Sequence, residues 1–165
     1  MDINSIDYSQ PGYKEMFANY GLTAISALSL EKAIWLLITA IDNLGKGTIL
    51  DINEIQKQLK EHKRKPMGPL IINLQKRIEI NNELLVILDE AKERRNYIIH
   101  HFFVERVDNL RNDPSALSNE LHPIRDLFCD AHSKIDSLLE RIIAEMHKPF
   151  DQVNPEIRRI LKRTS

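Results

Sequence analysis

Residues 121–146 read LHPIRDLFCDAHSKIDSLLERIIAEM. Leu121, Ile124, Phe128, Ala131, Ile135, Leu138, Ile142 and Met146 follow one another at steps of 3, 4, 3, 4, 3, 4 and 4. An α-helix turns once in about 3.6 residues, so these steps lay one apolar seam along one side, whereas a strand would alternate at every second residue. The seam predicts a helix that starts at Ser118, or at His122 with Pro123 as its first helical residue, and stops before Pro149. It reads as the core face of that helix, to be covered by other helices of the chain.

On the N-terminal side, Asp113-Pro114 is expected to close a preceding helix, because proline disfavours helix in the residue before it. That helix should run from residue 83, after a cap at Asn81-Asn82, to about residue 109. A shorter one is expected over 70–80, carrying Leu70, Ile71, Leu74 and Ile78, after the turn Pro66-Met67-Gly68-Pro69. Another is expected from Asp51, a candidate N-cap, to about residue 61. The first helix should start at Tyr13 or Leu22 and reach Leu44, with Leu22, Ile25, Leu28, Ala33, Leu36, Leu37, Ala40 and Leu44 as its apolar positions. Gly45-Lys46-Gly47 would end it in a left-handed turn. The 5 glycines and 7 prolines bunch between these periodic segments. The expected architecture is an all-α bundle of about five helices, two of them long, in one domain over residues 1–165. A short basic tail is expected from about residue 149, with Arg158, Arg159, Lys162 and Arg163 against Glu156.

A chain of 165 residues, 42% of them apolar, can bury a real core. With 23 basic and 24 acidic residues, the net charge of -1 excludes a global field toward nucleic acid or membrane and leaves only local patches. The single cysteine, Cys129, precludes an intramolecular disulfide and suits a reducing cytosol. The start, Met1-Asp2-Ile3-Asn4-Ser5, is too acidic and polar for a secretory signal. The longest apolar run, near residues 33–41, falls short of the roughly 20 needed to span a bilayer. A soluble, cytoplasmic protein with no membrane contact is the expectation.

One cluster carries chemistry: Arg95-Asn96-Tyr97-Ile98-Ile99-His100, followed by His101-Phe102-Phe103. On an α-helix, residues five apart diverge by about 140°, so Arg95 and His100 would point apart, while Asn96 and His100 would share a face. Histidine, with a reference pKa of about 6.5, can take up or give a proton near neutral pH. Arginine offers a fixed charge and a bidentate fork for phosphate oxygens.

This spacing, with a polar residue directly after the arginine, resembles the R-x4-6-H signature of the HEPN superfamily (higher eukaryotes and prokaryotes nucleotide-binding domains). The likeness is most specific over residues 95–102 and extends, as an all-helical layout, over roughly 13–148. It implies a HEPN-like fold and a metal-independent endoribonuclease of the toxin or antiviral-defence kind. The site would lie at the interface of a homodimer, where two copies of the motif face each other. It also implies RNA as substrate, a 2′,3′-cyclic phosphate product, no cofactor, and an antitoxin or regulatory protein as a further partner. His100 would be the general acid/base, Arg95 would stabilise the phosphorane, and Asn96 would orient the histidine or the phosphate. His101 and Tyr97 are accessory candidates. In family toxins paired with a nucleotidyltransferase, a tyrosine two places after the histidine receives AMP. Phe102 stands there and has no hydroxyl, which puts that route in doubt.

Lys63, Arg64 and Lys65, with Lys57 and Lys60 before them, form one basic cluster, and Arg158 and Arg159 belong to another. Either could guide an RNA backbone, and each also reads as a solvated helix face or tail. Gly45-Lys46-Gly47-Thr48 lacks the glycine at position 40 and the hydroxyl at 47 of a phosphate loop. No two of the 6 histidines are four apart, so no metal site is expected. Trp35 reads as core. The alternative to the nuclease is a non-catalytic interaction or dimerisation module, a regulator or adaptor, in which Arg95, Asn96 and His100 make structural hydrogen bonds.

Overall fold

The computed structural model describes residues 8–9, 12–45 and 65–162, with residues 53, 56, 57 and 60 between them. The chain is all-α. Helix α1 is Tyr13–Asn43, α2 is Met67–Gln75 and α3 is Asn82–Asn96. A π turn, Tyr97–His101, joins α3 to α4, Phe102–Glu105, and these three form one rod. Then come α5, Val107–Asn112, α6, Pro114–Glu145, a 3-10 turn at Phe150–Gln152, and α7, Pro155–Ile160. Of the helix expected over 51–61, only Asn53, Gln56, Lys57 and Lys60 are described, each helical and exposed.

The seam in α6 is the core of the molecule. Leu121, Ile124, Phe128, Ala131, Ile135 and Ile142 are buried, and Leu138 and Met146 pack half-buried against them. Fully burying a side chain of this size contributes about 1.5–3 kcal/mol. Helix α6 starts earlier than its seam predicts. Asp113 and Pro114 open it: the Asp113 carboxylate accepts from the Ala116 N–H at 2.9 Å, and Pro114 sits in the first turn, where its missing N–H does no harm. Pro123 therefore lies inside the helix, on an exposed side where solvent can reach the freed Asn119 carbonyl.

Helix α1 runs parallel to α6. Gly12 approaches Pro114 and Ser115 at one end, Asn19 Nδ2 donates to Ser118 Oγ at 2.6 Å, and Gly45 meets Phe150 at the other end. Both glycines have positive φ, 96° and 77°. A Cβ on Gly12 would lie 2.8 Å from Ser115 Oγ, and one on Gly45 would lie 2.9 Å from Phe150 Cβ, so bare backbone is required at both ends of α1. The rod runs antiparallel between these helices, with Asn81 capping it through the Leu84 N–H at 2.8 Å. Buried Leu84, Leu88, Ala91, Ile98 and Phe102 face the core.

Two expectations are corrected here. Helix α2 begins at Met67, inside the expected turn, and ends at Gln75; Ile78 instead pairs with Leu161 in an isolated antiparallel bridge. In α1 the inward positions are Met16, Thr23, Ala27, Leu30, Ile34, Leu37 and Ile38, while Leu22, Ile25 and Leu28 are 50%, 60% and 58% exposed. The N-terminal half of α1 has two apolar sides, and the expectation chose the outer one. By composition α1 contains an 18-residue window apolar enough to cross a bilayer, 44% of it buried within the chain. The segment after residue 149 is docked: Val153 and Ile157 are buried, and Glu79 N–H donates to the Ile160 carbonyl at 2.7 Å.

Candidate functional site

The rod positions Arg95 against the middle of α1. Its Nε lies 3.0 Å from Glu31 Oε1, and the two side chains are only 19% and 13% exposed. This bond uses one of the five donors of the guanidinium. It holds the side chain in place and offsets its charge. Glu31 was not singled out in the sequence, although an acid on an otherwise apolar helix was the available signal.

Between Arg95 and His100 the helix changes type. The Phe102 N–H bonds the Tyr97 carbonyl, five residues back, in place of that of Ile98. The Ile98 carbonyl accepts from the Tyr20 hydroxyl at 3.1 Å. Burial raises the Tyr20 phenol above its ordinary pKa, which keeps it a proton donor. An i→i+5 pattern brings residues five apart closer to alignment, so the 140° divergence expected for an unbroken α-helix does not hold across this turn. Such turns recur at functional sites, and nothing in the sequence period announced this one.

His100 is exposed, as are Asn96 and His101. The rings of His100 and His101 stand 6.3 Å apart and are inclined at 76°. His101 Nδ1 lies 3.7 Å from Glu105, an attraction that requires the protonated imidazole. Phe102 is fully buried and meets Tyr20 and Tyr97, so the position after His101 faces the core.

Tyr97 does not join this group. It points to the other flank of the rod, into a groove of about 370 Å³ lined by Glu90, Arg94, Arg106, Glu120, Pro123, Ile124 and Leu127. Its hydroxyl is buried with no hydrogen-bond partner. Burial pushes its pKa up, opposed by the nearby Arg106, which is itself paired with Glu120 at 3.1 Å.

Arg158 and Arg159 are not beside the motif. They lie with Phe150 and Leu161 at the end of the bundle where α1 terminates, on the order of 30 Å along α1 from Tyr20. Lys65 is exposed ahead of α2, while Lys63 and Arg64 lie outside the described residues. Among the described residues no group of three or more His, Cys, Asp or Glu side chains is placed to hold a metal ion. Arg95 is thus drawn onto α1, Asn96, His100 and His101 stand exposed on the same segment, and Tyr97, Arg158 and Arg159 face elsewhere. No protein-family model, curated protein or solved structure matches the chain.

Proposed function

We propose that this chain is a HEPN-type, metal-independent endoribonuclease of the toxin or antiviral-defence kind, acting on cytoplasmic RNA as a homodimer. The observation that carries the reading is the Arg95-Asn96-x3-His100 segment on a helix, with a π turn at its centre, an anchored arginine and an exposed histidine. One copy supplies a single imidazole and a single guanidinium. Cleavage requires a base for the 2′-hydroxyl and an acid for the leaving 5′-oxygen. Two copies of His100 fill both roles, and Arg95 meets the charge on the phosphorane. The 2′-oxygen attacks phosphorus, the bond to the 5′-oxygen breaks, and the products are a 2′,3′-cyclic phosphate and a free 5′-hydroxyl. Asn96 orients His100 or a phosphate oxygen, and His101 contacts the substrate from beside it.

One observation favours a second reading, a helical interaction module without activity. Arg95 is bound to Glu31 and mostly withdrawn from solvent, as a structural arginine would be. Purified protein incubated with RNA in excess chelator separates the two. Cleavage to a 2′,3′-cyclic end by the wild type and not by His100→Ala supports the nuclease. RNA left intact by a folded, dimeric wild type assigns the chain to the interaction module.

A further inference from the structure

The end of the bundle where α1 terminates holds an open cavity of about 520 Å³, lined by Phe150, Pro155, Arg158, Arg159 and Leu161. No carboxylate lines it. Arg158 and Arg159 stand three and four residues after Pro155 on α7, so all three share one side of that helix. Phe150 and Leu161 enter from the segments before and after α7. The frame is held from several directions. Asn154 caps α7 through the Glu156 N–H at 2.9 Å and donates its own N–H to Glu145 Oε2 at 2.7 Å. Val153 and Ile157 are buried, Leu161 bridges to Ile78, and the Lys162 N–H donates to the Arg77 carbonyl at 2.7 Å.

The two arginines of this cavity lack what other arginines of the chain have. Arg77, Arg94, Arg95, Arg106, Arg125 and Arg141 each have a carboxylate oxygen within 4.0 Å. Among the described residues, no carboxylate pairs with Arg158 or Arg159. The Nε of Arg158 is closed off from solvent and has no hydrogen-bond partner. A buried donor without an acceptor is costly, and a charged one more so. An arginine that only complements the C-terminus of a helix would leave its donors in water. The cavity therefore offers two fixed positive charges without a counter-charge, beside a half-buried aromatic ring and two aliphatic groups.

We infer that this cavity binds a phosphate monoester with a small apolar or aromatic organic part. The phosphate oxygens accept from the guanidinium groups of Arg158 and Arg159, and the organic part rests on Phe150, Pro155 and Leu161. Charge selects the ligand. A monoester carries about −1.5 to −2 at neutral pH, which matches two guanidinium groups, whereas a carboxylate or an RNA phosphodiester carries a single negative charge. The apolar wall favours an ester over free phosphate, which would leave that surface uncovered. The volume falls within the roughly 300–1,000 Å³ of small-molecule sites. An RNA backbone needs cations spaced along a path, and here both stand at one point. The inference does not rest on the proposed nuclease and holds whether or not RNA is cleaved.

Isothermal titration calorimetry of the full chain tests it, with phenyl phosphate, inorganic phosphate, benzoate and a short RNA lacking terminal phosphates as probes. Phenyl phosphate is expected to bind saturably, at least about tenfold tighter than inorganic phosphate or benzoate, the scale of one charge-assisted bond or one apolar contact. Arg158→Gln and Arg159→Gln should each weaken it at least about tenfold with circular dichroism unchanged, while Arg94→Gln, in the groove beside Tyr97, should bind as the wild type does. Should Arg158→Gln misfold, Arg159→Gln carries the test, because that side chain is exposed. No saturable heat with phenyl phosphate, or undiminished binding by a folded Arg159→Gln chain, overturns the inference. Inorganic phosphate bound as tightly as phenyl phosphate overturns the assignment of an ester. RNA that displaces phenyl phosphate overturns it too, and gives the two arginines to a nucleic-acid backbone.

Discussion

Removing either member of the Arg95–Glu31 pair should destabilise the fold measurably, by an amount the structure brackets. Two unit charges about 4 Å apart attract by about 4 kcal/mol at the effective dielectric of a partly shielded site, before desolvation and ordering are subtracted. Fully exposed pairs retain about 0–1 kcal/mol of this, while breaking a buried pair costs about 3–5 kcal/mol because the remaining charge stays desolvated. Exposures of 19% and 13% and a 3.0 Å separation place this pair toward the buried limit. Glu31→Ala and Arg95→Ala are each expected to lose about 2–3 kcal/mol, or roughly 5–10 °C in Tm for a chain of this size. In urea unfolding the double variant should be less destabilised than the sum of the singles, with a coupling of about 1.5 kcal/mol. Single losses below about 0.5 kcal/mol, or strict additivity, would refute the placement of Arg95 against α1. Because both functional readings predict this loss, Arg95→Lys is the informative variant. It keeps the charge beside Glu31 but lacks the fork, so a nuclease should lose at least about tenfold in rate with stability nearly intact.

His100→Ala removes an exposed side chain and should change unfolding free energy by less than about 0.5 kcal/mol while abolishing cleavage; a large shift in the urea midpoint would show that His100 is structural. Tyr97→Phe deletes a buried hydroxyl with no partner and should be neutral or stabilising by up to about 1 kcal/mol in thermal melts, against the usual loss on deleting a bonded hydroxyl. The same residue gives a pH signature. Its folded-state pKa is raised, so its proton is held more tightly folded than unfolded. That contribution is complete below the ordinary tyrosine value of about 10 and is lost as pH rises through the folded one. Wild-type stability should therefore fall more steeply than that of Tyr97→Phe in alkaline titrations, and parallel curves would contradict the burial. Asp113→Ala should lose about 1 kcal/mol by uncapping α6, read from the same urea curves; no loss would place the start of α6 elsewhere.

Period and punctuation carried the helical class, because a seam such as that of α6 admits one buried side and its residues are local in sequence. Asn81 was legible as a cap for the same reason. Asp113-Pro114 does close the preceding helix, as expected, but the same pair also starts the next one, and that second role was not read. The expected basic tail was read from charge, whereas Val153 and Ile157 dock it by packing.

Residue order alone sufficed for an all-helical chain with two long helices and for the Arg95, Asn96 and His100 segment. Which side of α1 is inward was not decidable from it. Leu22, Ile25 and Leu28 follow helical steps as well as Met16, Thr23 and Ala27 do, and only the helices packed around α1 select between the two. The Arg95–Glu31 pair joins residues 64 positions apart, and the π turn is accompanied by a hydroxyl 78 positions from the carbonyl it meets. Interactions at that separation leave no periodic trace in a sequence, because they arise only when packing brings distant segments to one place.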